Sequence, residues 1–250
     1  MRIAMLCLLA ACGRIGFDDL QRGTGDAAGG DGASDSAADG TMLTTSITHV
    51  GTFAAHSAPV GPSDAFTVQG NAVGDVVALQ VACASAVPPT SVMVMVNGWN
   101  FDALDSVQGN GMQFSEQLVA IVPDTLSHSI SVKWTGSSCD MGMAELGDEF
   151  AGVNTSGGIT STFAGGAQQS GTGNCKMSFA TLTPAETIWV ACVTYGTVTG
   201  VNAGFVQGAT NSTGDEAAYR ISTDPAGFIE TPTLLNTNTW LMDAIELRPQ

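Results

Sequence analysis

Positive charge is what this sequence has least of: seven lysines and arginines stand against 23 acids in 250 residues, a net charge of −16. Past Arg2, Arg14 and Arg22, only Lys133, Lys176, Arg220 and Arg248 remain, and they form no run. That excludes nucleic acid as a partner, because no basic stripe exists to neutralise phosphates. Charge of either sign is thin at 12%, about half the usual share, which leaves a surface of Ser, Thr, Asn, Gln and Gly, common in exported β proteins. Histidine is limited to His49, His56 and His128. There is no G-x-S-x-G, S-x-x-K or H-E-x-x-H, so the familiar hydrolase signatures are missing. Helical periodicity is missing too: no window of ten or more residues repeats its apolar positions at 3.6.

What is present instead is a series of short apolar runs punctuated by Gly, Pro, Asn and Asp. Asp75–Ala84 (DVVALQVACA) and Thr187–Tyr195 (TIWVACVTY) are nearly continuous, as central strands buried on both faces are. Ser91–Val96 and Glu116–Val122 read similarly, whereas Ile130–Trp134 and Ala217–Ser222 alternate at period two, the mark of half-exposed strands. Met141–Val153, Cys175–Leu182 and Thr239–Leu247 complete the strong candidates, with weaker runs at Thr45–Phe53, Ala65–Gln69, Gly158–Phe163 and Ala203–Gln207. The reading is an all-β chain folded as an antiparallel β-sandwich of jelly-roll type. Gly214–Pro249 and the strand end Glu149-Phe150-Ala151-Gly152-Val153 resemble the corresponding parts of uncharacterised extracellular bacterial jelly-roll domains. That resemblance implies a fold and an exported setting, not an activity. A short internal echo accompanies it: Val81-Ala82-Cys83 and Val190-Ala191-Cys192 both end core strands, and Val107-Gln108-Gly109 and Val206-Gln207-Gly208 follow.

The N-terminus carries an address. Arg2 precedes an apolar run from Ile3 to Ala11, the charge-then-apolar order of an export signal and too short to span a bilayer. Leu9-Ala10-Ala11-Cys12 resembles the lipobox of bacterial lipoproteins, which implies cleavage after residue 11 and a lipidated Cys12 as membrane anchor. Gly13, where such proteins commonly carry Asp for inner-membrane retention, implies the outer membrane. Residues 12–41 read as a flexible acidic linker, whose stretch Gly23–Ser36 has small and acidic residues and no large apolar side chain. Residues 42–250 are the β domain.

Four cysteines lie beyond Cys12: Cys83, Cys139, Cys175 and Cys192. Without C-x-x-C spacing or a nearby histidine they read as two disulfides rather than a zinc site. Three connectivities are open. A tight turn at Leu182–Thr187 would put Cys175 and Cys192 on one face of a hairpin, which favours 175–192 with 83–139.

Candidate chemistry is sparse. Glu145, Asp148 and Glu149 cluster on one strand, with 145 and 149 sharing a face, so Glu145 and Glu149 are the candidate pair for an enzyme acting on polysaccharide. A solvated strand face is the plainer reading. Asp102, Asp105, Asp140, Asp215, Glu216 and Asp224 fall in expected loops and are candidate calcium ligands. Asn97, Trp99 and Asn100 form a turn whose aromatic ring and amides suit a sugar. The leading expectation is a lipid-anchored envelope module that binds, or builds structure, without catalysis, with glycan as candidate ligand and the membrane as partner. The alternatives are the polysaccharide-acting enzyme and a protein-interaction part of a surface assembly.

Overall fold

The computed structural model describes residues 46–58, 60–109, 113–177, 187–202, 204–221 and 233–250. The stretches expected to be an export signal (1–11) and a linker with lipidated Cys12 (12–41), most of the expected turn at 182–187, and Asp224 lie outside them. The described residues belong to one compact unit, Leu43–Gln250. They form antiparallel sheets with one short helix, α1 (Ile159–Thr162). No helix among them is long and apolar enough to cross a membrane.

The chain winds a jelly roll twice. The first copy comprises β1 (Thr48–Ala58), β2 (Ser63–Gln69), β3 (Val76–Ala84), β4 (Ser91–Val96), β5 (Phe101–Gly109), β6 (Gln113–Ile121), β7 (Ser127–Thr135) and β8 (Gly142–Ala151). One of its sheets has the order β1-β8-β3-β6-β5 and the facing sheet β2-β7-β4. A jelly roll places its first, eighth, third and sixth strands in one sheet and its second, seventh, fourth and fifth in the other. Only β5 departs, pairing with β6 rather than β4. The second copy comprises β9 (Phe163–Thr172), β10 (Cys175–Lys176), β11 (Thr187–Thr194), β12 (Val206–Thr210), β13 (Glu216–Ile221), β14 (Thr233–Leu234) and β15 (Thr239–Leu247). Its large sheet, β9-β15-β11-β13-β12, repeats the first order strand for strand. Among the described residues its small sheet comprises the pair β10-β14, with a Val201–Leu234 bridge standing where a fourth strand would run. The Val-Ala-Cys echo falls at equivalent positions: Cys83 is opposite Met143 and Cys192 opposite Met242, each on the neighbouring closing strand.

The two large sheets pack back to back, which gives three cores. Val77, Leu79, Val81, Ile130, Val132 and Trp134 fill the first roll. Ile188, Val190, Leu234, Trp240 and Met242 fill the second. Between the rolls lie Val76, Ala78, Val119, Leu146, Phe150, Trp189, Ala191 and Ile245. Strands β3 and β11 send alternate residues to two different cores, and that is why both read as unbroken apolar runs.

Several local expectations need correction. Gly158–Phe163 is not a strand but α1 running into β9. His56, beyond the weak run expected to end at Phe53, lies within β1. Two strands, β5 and β9, lack any clear apolar pattern in sequence. In β9 (FAGGAQQSGT) small residues are a packing demand: a Cβ on Gly171 would stand 2.6 Å from Trp240 Cζ2, and one on Gly166 2.8 Å from Gln117 Oε1. Disulfides join Cys83 to Cys139 and Cys175 to Cys192, with Cα separations of 5.4 and 6.4 Å. The second pairing does not arise from a β10–β11 hairpin. Cys175 pairs across to Leu234 in the small sheet, so the bridge ties the two sheets of the second roll together. Disulfides of this kind persist outside the reducing cytosol.

Candidate functional site

The three acids of β8 organise the chemistry. Glu145, Asp148 and Glu149 have no exposed surface at all, which overturns the reading of a solvated strand face. Glu145 and Glu149 point to the small-sheet side and Asp148 to the opposite side, as strand alternation requires, and each meets a different environment.

Asp148 joins the two rolls. Its Oδ2 accepts hydrogen bonds from Trp189 Nε1 at 2.8 Å and the Ala209 amide at 3.1 Å, both in the second roll. Its Oδ1 lies 2.9 Å from His49 Nε2 on β1. The His49 ring stacks on Tyr219 with centroids 4.3 Å apart. The carboxylate fits there because residue 208 is glycine: a Cβ at Gly208 would stand 2.3 Å from Asp148 Oδ2.

Glu149 is cradled by the turn after β2. The amides of Asn71 (2.9 Å) and Ala72 (3.3 Å) and the Asn71 side-chain amide (2.8 Å) donate to it. Asp75 stands beside it. Burial, then a hydrogen bond to Glu149 and that group's negative charge, push the Asp75 carboxyl up to about 6. With both carboxylates enclosed, Glu145 and Glu149 do not flank a cleft in the manner of a glycosidase pair.

Glu145 differs from its neighbours. Neither of its carboxylate oxygens has a hydrogen-bond partner. It faces His56, its cross-strand partner on β1, and Asp64 on β2, and one donor atom from each of the three lies within 4.8 Å of the others. Burial, followed by the charges of Asp64 and Asp215, pushes Glu145 up to about 9. Side-chain exposure falls from 36% at His56 to 14% at Asp64 and none at Glu145, so the group opens to solvent at the imidazole. The His56 ring is held by stacking on Phe66, centroids 4.6 Å apart.

Nearby, loop 211–215 of the second roll docks on the end of β1. Asn211 donates to the His56 carbonyl and to Asp215 Oδ2, and Ser57 and Ser212 hydroxyls meet at 2.8 Å. Asp215 also accepts from the Thr194 amide and the Thr213 hydroxyl. Burial still leaves its carboxyl raised. This loop borders a cleft of about 390 Å³ between the rolls, lined by the ends of β3, β8 and β11 together with Gln113, Tyr195 and Leu241. Tyr195 is 41% exposed at the cleft, and the buried Gln113 carbonyl oxygen in the same lining has no partner. Burial and the charge of Asp140 hold the Tyr195 phenol above its ordinary range.

The other sequence candidates do not converge. Asp102 and Asp105 lie on β5, not in a loop, with Asp102 exposed. Asp140 is exposed and caps the Ala86 amide, while Asp215 accepts from Asn211 and Thr213 of its own loop and from the Thr194 amide. Among the described residues, Asp102, Asp140 and Asp215 form no calcium cage. Trp99 is 6% exposed, tilted against Phe53 and stacked on Phe101 in the first core, which removes it as a sugar platform while Asn97 and Asn100 stay at the surface. Asp64, Asp75 and Tyr195 carry no motif in sequence. The one available signal was the placement of Glu145 on a strand whose neighbours are apolar, where an acid needs a partner. Comparison of the chain with protein-family models, with curated proteins and with solved structures finds no match.

Proposed function

We propose that this protein is an exported lipoprotein whose double jelly roll, carried on the acidic linker and anchored through lipidated Cys12, is a non-catalytic module binding envelope glycan in the cleft between its rolls. The observation that carries this reading is the cleft itself. It combines an exposed aromatic ring at Tyr195 with the unpartnered Gln113 carbonyl and the Thr194 and Thr213 hydroxyls, the mixture by which a sugar ring is stacked and oriented. The enclosed state of Glu145 and Glu149 favours binding over hydrolysis. Outer-membrane placement follows from Gly13 after the lipobox cysteine. The two disulfides agree with an oxidising compartment.

The test has two parts. Cys12→Ser expressed in a bacterial host should lose incorporated acyl label and move from the membrane to the soluble exported fraction; unchanged membrane association refutes the anchor. Purified protein should be retained on insoluble peptidoglycan or polysaccharide, and Tyr195→Ala should weaken retention by about tenfold. Release of soluble sugar during incubation would replace the binding module with an enzyme, and no retention on any polymer would remove glycan as the ligand.

A further inference from the structure

We propose that His56, Asp64 and Glu145 form a binding site for one first-row divalent transition-metal ion, with zinc the best match to the donor set. Three strands of the first roll deliver these side chains to one point. His56 and Glu145 are cross-strand partners on β1 and β8, and Asp64 reaches in from β2 in the facing sheet. His56 Nε2 and Asp64 Oδ2 stand 2.9 Å apart, an ion-pair contact without the alignment of a hydrogen bond, so both atoms can turn to a shared cation.

Glu145 supplies the second, independent indication. A carboxyl group with no exposed surface and two unpartnered oxygens, whether protonated or ionised, is costly anywhere in a core. Asp148 and Glu149, on the same strand and equally buried, each have three donor groups. One Glu145 oxygen lies within 4.8 Å of the His56 and Asp64 donor atoms, where a cation would satisfy it.

The donor set selects the ion class. One imidazole and two carboxylates suit zinc, at about 2.0–2.2 Å, which sets tetrahedral donors about 3.3 Å apart. Calcium takes six or more oxygens and gains little from an imidazole. Stacking on Phe66 fixes the His56 ring, and its partial exposure gives the ion a way in and leaves a fourth position for water.

The full chain, purified without an affinity tag in detergent and stripped with chelator, should be titrated calorimetrically with zinc chloride and separately with calcium chloride. The expected result is one equivalent of zinc, with calcium weaker by about two orders of magnitude. Glu145→Gln should abolish the site. Should that variant fail to fold, His56→Gln and Asp64→Asn at the more open edge carry the test, each weakening zinc by more than about tenfold. His128→Gln, whose ring bonds Asp124 elsewhere, should bind zinc as the parent does. Absence of saturable zinc binding, unchanged affinity in His56→Gln, or calcium binding as tight as zinc would each overturn the proposal.

Discussion

Asp148 gives the sharpest test of how the two jelly rolls are held together. Replacing it by alanine leaves Trp189 Nε1 and the Ala209 amide without an acceptor, both in residues with no exposed surface. Each orphaned buried donor costs about 1–3 kcal/mol. Loss of the half-exposed His49 contact adds about 1 kcal/mol. The sum is about 5 kcal/mol, or a fall in Tm of about 15 °C for a domain of this size. Asp148→Asn keeps one acceptor oxygen and should lose about half as much. Equilibrium denaturation followed by tryptophan fluorescence and far-ultraviolet circular dichroism measures both. A double-mutant cycle with Trp189→Phe should return a coupling of about 1–2 kcal/mol, since the pair is in direct contact. A loss below about 1 kcal/mol for Asp148→Ala, with native spectra, would refute the view that this carboxylate bolts the rolls together.

Further outcomes follow from neighbouring features. Gly208→Ala should destabilise by about 1–3 kcal/mol because its Cβ would meet Asp148 Oδ2 at 2.3 Å, and the cost should shrink in an Asp148→Ala background. The folded-state pKa of Asp75 is raised to about 6, so the native protein holds a proton that the unfolded chain has released. Stability should therefore fall as pH rises from about 4 to 6. Asp75→Asn should flatten that slope and raise Tm at pH 7 while changing little at pH 4; a steeper slope in the variant would refute the assignment. Replacing both cysteines of a disulfide by serine should cost about 3 kcal/mol for Cys175–Cys192 and about 4 kcal/mol for Cys83–Cys139, from sequence separations of 17 and 56, read from denaturant midpoints.

The fold was legible wherever burial leaves a one-dimensional trace. β3 and β11 stand out as apolar runs because each is buried on two faces, and β7 shows a period of two. β9 and β5 left no trace. The glycines of β9 are set by the Trp240 ring and the Gln117 side chain pressing on it, partners remote in sequence. The duplication showed only as the short Val-Ala-Cys and Val-Gln-Gly echoes, since strand order can repeat without repeating side chains. Of the candidate site, Glu145 was visible as an acid on an apolar strand. Its partners were not: His56 lies 89 residues earlier and Asp64 81, and only the β1–β8 register and the facing sheet bring them together.

The amino-acid sequence by itself determined the all-β composition, the disulfide-forming cysteines and the most deeply buried strands. These depend on local order, on side-chain type and on periodicity along the chain. Tertiary structure alone decided that the acids of β8 are enclosed, that Trp99 belongs to the core, and that Tyr195 stands at the cleft. It also decided that an imidazole and two carboxylates converge, because pairing between distant strands, and not spacing along one strand, determines which charges meet.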